Sequence, residues 1–320
     1  MTKSTSRDNP LQRLTDWAVL IVCNLIWASQ FVAVKVVQRE MGFIFATFFP
    51  MAIAMLILVP FVMRERRRAS SAIRSISWRD VGSFILLGVF GQIAAQLCVT
   101  WGTNLSTASN SALLFLTLPV VTSVMAYFFL GERMTWIRIV SFCLALLGVL
   151  ASSGIDIREL SYTGQRSLFG NALIFISIAG SAFYNVYSKR LMRRHSPLEV
   201  LLYSYITAFA FMFPLAVALE PSGFSNLSRY SGEVWIGLAV LAVVQYALSM
   251  VLFLRVLSRI DATQAAIMNY LIPFLGVVIA WAILGERLTV LMILGGVLAL
   301  ASTLLATVVD KPQTSPSSTP

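Results

Sequence analysis

The chain has 320 residues, of which 58% are hydrophobic and only 12% charged, against roughly 25% charged in a soluble domain. Its mean hydropathy is +0.81, more apolar than a soluble core could enclose, and a pair of ordinary soluble domains is excluded. The net charge of +10 falls between apolar runs, where lipid headgroups are the expected partners, so no nucleic-acid partner is implied.

A helix needs roughly 20 apolar residues to cross the ~30 Å hydrocarbon layer. In chain order ten segments qualify: 17–37, 43–63, 81–99, 107–130, 135–153, 169–188, 198–219, 234–254, 262–284 and 289–309. The expected fold is therefore an all-α integral membrane protein with ten transmembrane helices. The first apolar stretch runs on to Lys35 with no small-residue cleavage site, so it reads as an uncleaved helix. Residues 1–16 and 310–320 read as flexible tails. With the N-terminus placed inside, eighteen of the 24 Lys and Arg lie in inner segments, so both termini are expected to be cytoplasmic in a cell (inner) membrane. Cys23, Cys98 and Cys143 sit in apolar stretches without metal-ligand spacing, and neither disulfides nor a metal are expected.

Shifting the chain by 154 residues lays one half on the other. Leu130-Gly131-Glu132-Arg133 meets Leu284-Gly285-Glu286-Arg287, Pro119 meets Pro273, Lys35 meets Lys189, and residues 107–150 give 15 identities in 44 positions. Residues 17–153 and 169–309 thus read as two five-helix repeats. Five is odd, so the second copy enters the membrane from the opposite side, the inverted-repeat plan of many secondary transporters.

Two repeats each carrying Leu-Gly-Glu-Arg before the last helix resemble the drug/metabolite transporter superfamily, EamA type. The segments Ser111–Leu150 and Ala265–Leu304 carry that likeness, and Trp27-Ala28-Ser29-Gln30-Phe31-Val32-Ala33-Val34-Lys35 resembles the family's opening motif. The resemblance implies export of amino acids, their derivatives or other small metabolites.

Gly131 and Gly285 suit left-handed helix ends, and Thr135 and Thr289 suit N-caps of the following helices. Glu132, Arg133, Glu286 and Arg287 then sit at membrane boundaries near those helices' positive ends. Two readings stand for the glutamates, a structural turn or proton coupling. The spacing places Pro119 and Pro273 mid-helix, freeing the carbonyls of Phe115 and Asn269 and marking a kink or gate.

Polar residues within the spans supply a candidate solute pathway: Asn24, Trp27 and Gln30 on the first helix, Gln92 and Gln96 on the third, and Asn110 on the fourth. Ser181 and Tyr184 on the sixth, Tyr203 on the seventh, Gln245 and Tyr246 on the eighth, and Asn269 on the ninth extend it. This set is amide, hydroxyl and aromatic, with no ionisable acid or base at mid-span, which suits a zwitterionic or neutral polar solute. Lys35, Lys189 and Arg255 read as helix-end residues snorkelling to headgroups. The aliphatic fifth and tenth helices are available to the bilayer or to a homodimer partner. His195, in a basic loop, is expected at the surface. No cofactor motif is present, and neither a metal cluster nor an acid dyad supports a lipid-modifying enzyme, while a channel lacks reason for paired prolines. The expected function is a secondary transporter of small organic metabolites, with exported nucleosides or drug-like cations as the alternative substrates.

Overall fold

The computed structural model describes residues 10–68, 76–130, 135–152, 162–259, 269 and 271–305. Gly131, Glu132, Arg133 and both chain termini lie outside that set. Among the described residues the structure is all helical: α1 Pro10–Val37, α2 Phe43–Arg68, α3 Trp78–Leu105, α4 Ala108–Phe129 and α5 Trp136–Ser152 come first. Then follow α6 Tyr162–Leu191, α7 Pro197–Leu219, α8 Gly232–Leu257, α9 Leu271–Leu284 and α10 Val290–Leu304. Seven of them, α1 to α4 and α6 to α8, contain a stretch long and apolar enough to cross a membrane. The apolar helices α5, α9 and α10 are shorter, with 17, 14 and 15 residues.

Local chemistry explains where the helices start. Ser77 accepts from the Asp80 N–H at 3.2 Å while the Asp80 carboxylate accepts from the Ser77 N–H at 2.9 Å, a reciprocal cap for α3. Ser196 and Glu199 repeat the arrangement on α7, with Pro197 in the first turn, where its missing N–H is not needed. Thr289 caps α10 through the Met292 N–H at 3.2 Å, and Gly285 ends α9 with φ of 67°, both as the sequence implies.

The helix bounds recur at the 154-residue shift. Val37 and Leu191 end α1 and α6, Phe43 and Pro197 begin α2 and α7, Trp78 and Gly232 begin α3 and α8, and Trp136 and Val290 begin α5 and α10. The packing recurs as well: α1 lies on α9 and α6 on α4, α2 on α8 and α7 on α3. The equivalent helices α2 and α7 run antiparallel. Arg66, near the end of α2, donates Nε to Glu199 at the start of α7 (2.7 Å). Glu220, just after α7, accepts from the Ile44 and Phe45 N–H groups at the start of α2 (3.2 and 2.7 Å).

Near the middle of α4 the helix tightens into a 3-10 turn at Phe115–Thr117 and resumes as α-helix at Leu118, so the regular ladder is interrupted just before Pro119. Pro273 falls in the first turn of α9. The carbonyls that each proline cannot serve are taken by the residue before it. The Leu118 N–H donates to the Phe115 oxygen, and the Ile272 N–H donates to the Asn269 oxygen at 3.1 Å.

In lipid, helices associate through close packing rather than through exclusion of water, so small residues set the spacing. A methyl group at Gly102 of α3 would stand 2.6 Å from the Gly170 carbonyl oxygen of α6, and one at Gly148 of α5 would stand 2.9 Å from the Gly295 oxygen of α10. Gly82 has nothing within 4 Å. Gly102→Ala is expected to destabilise the fold by about 1–3 kcal/mol, whereas Gly82→Ala is neutral or slightly stabilising. Thermal unfolding of the two variants in one detergent checks the contrast.

Candidate functional site

Both α3 and α8 widen into π-helical turns, at Leu87–Ile93 and Val240–Ser249. Such turns are frequent at functional sites because the extra residue displaces side chains from the regular helical stripe. Here they carry Gln92 and Gln245 to a central cavity of about 70 Å³ bounded by α1, α3, α4, α6, α8 and the start of α9. Eight of the twelve sequence-read pathway residues line it: Trp27, Gln30, Gln92, Gln96, Ser181, Tyr184, Gln245 and Asn269. Apolar walls come from Phe31, Val99, Phe115, Leu118, Phe253 and Ile272.

The amides are linked to one another. Gln245 donates Nε2 to Gln30 Oε1 at 2.8 Å, and Gln30 donates Nε2 to Gln96 Oε1 at 2.9 Å. Trp27 donates its indole N–H to the Ser249 hydroxyl at 3.0 Å and meets Phe253 edge-on at 4.7 Å. Four side chains of the lining carry a buried polar atom without a hydrogen bond, Gln92 Nε2, Gln245 Oε1, Asn269 Oδ1 and the Tyr184 hydroxyl, the last lying beside Gln92 and Ser204. A buried group left unsatisfied costs about 1–3 kcal/mol.

The other four pathway candidates are not among the lining residues. Asn24 turns back on its own helix to the Leu20 carbonyl at 2.7 Å. Asn110 belongs to a separate cluster, donating to Ser106 Oγ and Asn171 Oδ1 at 2.9 and 2.7 Å. Tyr203 meets Phe84 at a tilt with ring centres 4.8 Å apart and the Arg66 guanidinium over its ring, and Tyr246 receives the Tyr205 hydroxyl on its backbone oxygen at 2.8 Å while its own hydroxyl lies beside Gln30 of the cavity lining. Asn185, absent from the sequence reading, lines the cavity. Its i+4 spacing from Ser181 was the available signal.

Two boundary groups do work that the sequence did not disclose. Glu286 caps a helix of the other half rather than the one that follows it, accepting from the Ala108 and Ser109 N–H groups of α4 at 3.0 and 2.8 Å. Lys35 does not reach outward; half-buried, it donates to the Ser106 carbonyl at 2.6 Å, just past the end of α3. At the opposite ends of these helices, His195 is buried rather than on the surface. Its Nε2 lies 3.4 Å from Asp80, its Nδ1 lies 3.7 Å from Glu199, and Phe84 packs on its ring. Those carboxylates are the caps of α3 and α7, so the one histidine joins two helix starts. Arg287, exposed beside Glu286, has no role of this kind among the described residues; Arg133 and Glu132 fall outside them.

An apolar helical bundle around a neutral, hydrogen-bonding cavity is the build of a small-solute transporter. Residues 16–154 and again 168–308 match the EamA-like transporter family, and the chain belongs to it. It is 28% identical over 300 residues to a protein of Streptantibioticus cattleyicolor named "Probable terminal-alkyne amino-acid exporter", covering 90% of this chain and 92% of that one. It is 22% identical to an "Uncharacterized transporter" of Archaeoglobus fulgidus, covering 89% and 95%. A solved crystal structure shares the fold at a TM-score of 0.62 and 15% identity, over 92% of this chain and 97% of that one.

Glu286→Ala leaves two helix N–H groups without their acceptor and is expected to lower stability by about 1–2 kcal/mol. Glu286→Gln keeps one accepting oxygen and is expected to lose less and to retain appreciable transport, also when combined with Glu132→Gln. Thermal unfolding beside an uptake assay checks the order; complete loss of transport in the folded double Gln variant would assign the carboxylates a coupling role.

Proposed function

We propose that the protein is a secondary transporter that exports small zwitterionic or neutral polar solutes, amino acids first, across the cell membrane by alternating access. In this reading the two family repeats are five-helix units of opposite orientation, both termini are cytoplasmic, and the cavity lies between the units near mid-membrane. The antiparallel contact of α2 with α7, the reciprocal pairing of α1 with α9 and α6 with α4, and the Lys and Arg bias support this arrangement. Glu286 and Lys35 then close the outer end, and the cluster around His195 lies at the cytoplasmic end.

The observation that carries the reading is the cavity lining: six side-chain amides, a buried tyrosine and a tryptophan, with no charged residue among the seventeen that line it. A phosphorylated or multiply charged solute would need Arg or Lys there. A solute with both a donor and an acceptor end fits the unsatisfied atoms. The name of the Streptantibioticus relative points the same way.

The test is counterflow in proteoliposomes loaded with a mixed amino-acid pool, with labelled amino acids outside. Saturable exchange of a subset, reduced at least tenfold by Trp27→Ala or Gln92→Ala, is the expected result. No exchange of any amino acid by folded protein would overturn the amino-acid assignment.

A further inference from the structure

Helix α1 lines two spaces. Trp27, Gln30 and Phe31 meet the central cavity, and at 3.6 residues per turn Ser29, Val32 and Val36 fall on the opposite side of the helix. That side floors a groove of about 550 Å³, walled by Ile236 and Val240 of α8 and by Ile279 and Ile283 of α9. Ile236 and Ile283 are 68% and 63% exposed, so the groove opens toward the bilayer. Its length suits one leaflet: from Ser29 to Arg39 the chain rises by roughly 15 Å, half of the ~30 Å hydrocarbon layer. A polar solute finds little along it. The Ser29 hydroxyl is turned back to the Ile26 carbonyl of its own helix at 2.7 Å, and every other lining residue short of the mouth is apolar. At the mouth the character changes. Arg39, just past α1, and Glu233, in the first turn of α8, meet at 3.2 Å with their side chains 57% and 74% exposed. That contact occupies Nη1 of the arginine and Oε2 of the glutamate, leaving the rest of the donor fork and the second carboxylate oxygen for other partners.

We propose that this groove is a binding site for one phospholipid with a primary-ammonium headgroup, of the phosphatidylethanolamine kind. An acyl chain lies along Val32, Val36 and Ile279, and the headgroup sits over the Arg39–Glu233 pair, its phosphate on the arginine and its ammonium on the glutamate. The site is the same whichever solute the protein carries; in the orientation proposed above, the lipid belongs to the outer leaflet. The charges at the mouth select the headgroup. Arginine alone would hold any phospholipid, because its planar fork matches a phosphate. Glu233 beside it discriminates: a primary ammonium donates to the carboxylate, whereas a headgroup without one sets its phosphate against it. The methylated ammonium of phosphatidylcholine has no N–H to donate. Glu40, next to Arg39 in the chain, accepts instead from the Ser231 N–H at 2.9 Å. As an exposed ion pair Arg39–Glu233 contributes little to folding, so its two charges can serve a ligand without loss of the fold. A chain in the groove touches α1, α8 and α9 together, the helices that also carry Gln30, Gln245 and Asn269 of the central cavity. A retained lipid therefore braces one wall of that cavity from outside.

The experiment uses the full chain in one detergent, supplemented in turn with phosphatidylethanolamine, phosphatidylglycerol or phosphatidylcholine of identical acyl chains. Native mass spectrometry counts the lipid retained, and thermal unfolding reads its effect on the fold. One phosphatidylethanolamine held per chain, with a rise in melting temperature that the other two lipids do not give, is the expected result. Arg39→Ala and Glu233→Ala are each expected to lower the retained fraction about fivefold. Arg229→Ala, an exposed arginine outside the groove, is expected to leave it unchanged. Val36→Phe fills the groove without touching the ion pair and is expected to abolish retention; should it fail to fold, Ile236→Phe takes its place. Equal retention of phosphatidylglycerol or phosphatidylcholine overturns the headgroup pairing. Retention of phosphatidylethanolamine that survives the filled groove in folded protein overturns the site. Neither readout involves solute exchange, so both results leave the transport reading to its own assay.

Discussion

Hydrocarbon offers no hydrogen bond to a buried amide, and the centre of this bundle holds Gln30, Gln92, Gln96 and Gln245 together with Asn185 and Asn269. Each must bond a neighbour, a water or a solute. Three of the glutamines meet this demand by bonding one another in series, while Gln92 and Asn269, in the lining of the same small cavity, each keep a buried polar atom without a partner. The π-helical turns in α3 and α8 belong to the same solution. They carry Gln92 and Gln245 inward from helices that otherwise present apolar faces to lipid, such as Phe90 and Val243.

The ends of the bundle obey a second rule, that a helix terminus needs partners for its free N–H and C=O groups. Several of those partners come from the opposite repeat. Glu286 of the second repeat holds the start of α4 in the first, Glu220 holds the start of α2, and Arg66 reaches Glu199 at the start of α7. In the proposed alternating-access cycle, a rocking of the two units would exchange these contacts at one end while keeping them at the other. They are few, short and polar, so they can be broken and remade without disturbing the apolar packing between.

Much of this was legible beforehand because the repeat is written in the residues themselves. The duplicated Leu-Gly-Glu-Arg, the paired prolines and the Thr289 cap are local signals, and the helix bounds follow them. Periodic polar residues located most of the cavity, since a Gln or Tyr in a lipid-spanning helix has few reasons to be there. What escaped was non-local or sub-helical. The partner of Glu286 lies 178 residues away in sequence, so only the fold could supply it. His195 looked exposed because its chain neighbours are basic, yet its spatial neighbours are Asp80 and Glu199. Neither the 3-10 turn before Pro119 nor the π-helical turns have a composition of their own; they shift register without changing hydrophobicity. Asn24 and Asn110 were polar for the plainer reason that a backbone carbonyl or a neighbouring asparagine was within reach.

The central claim is that one cavity is reached from each face in turn. A single cysteine at Val99, which lines the cavity, in a background lacking Cys23, Cys98 and Cys143, tests it in sealed vesicles with a membrane-impermeant maleimide. The account predicts labelling from either face in the unlocked protein. A short cross-link between cysteines placed at Ser109 and Glu286 should abolish labelling from the Lys35 side and leave labelling from the His195 side. Labelling that persists from the cross-linked side, or that never occurs from the His195 side, would contradict it.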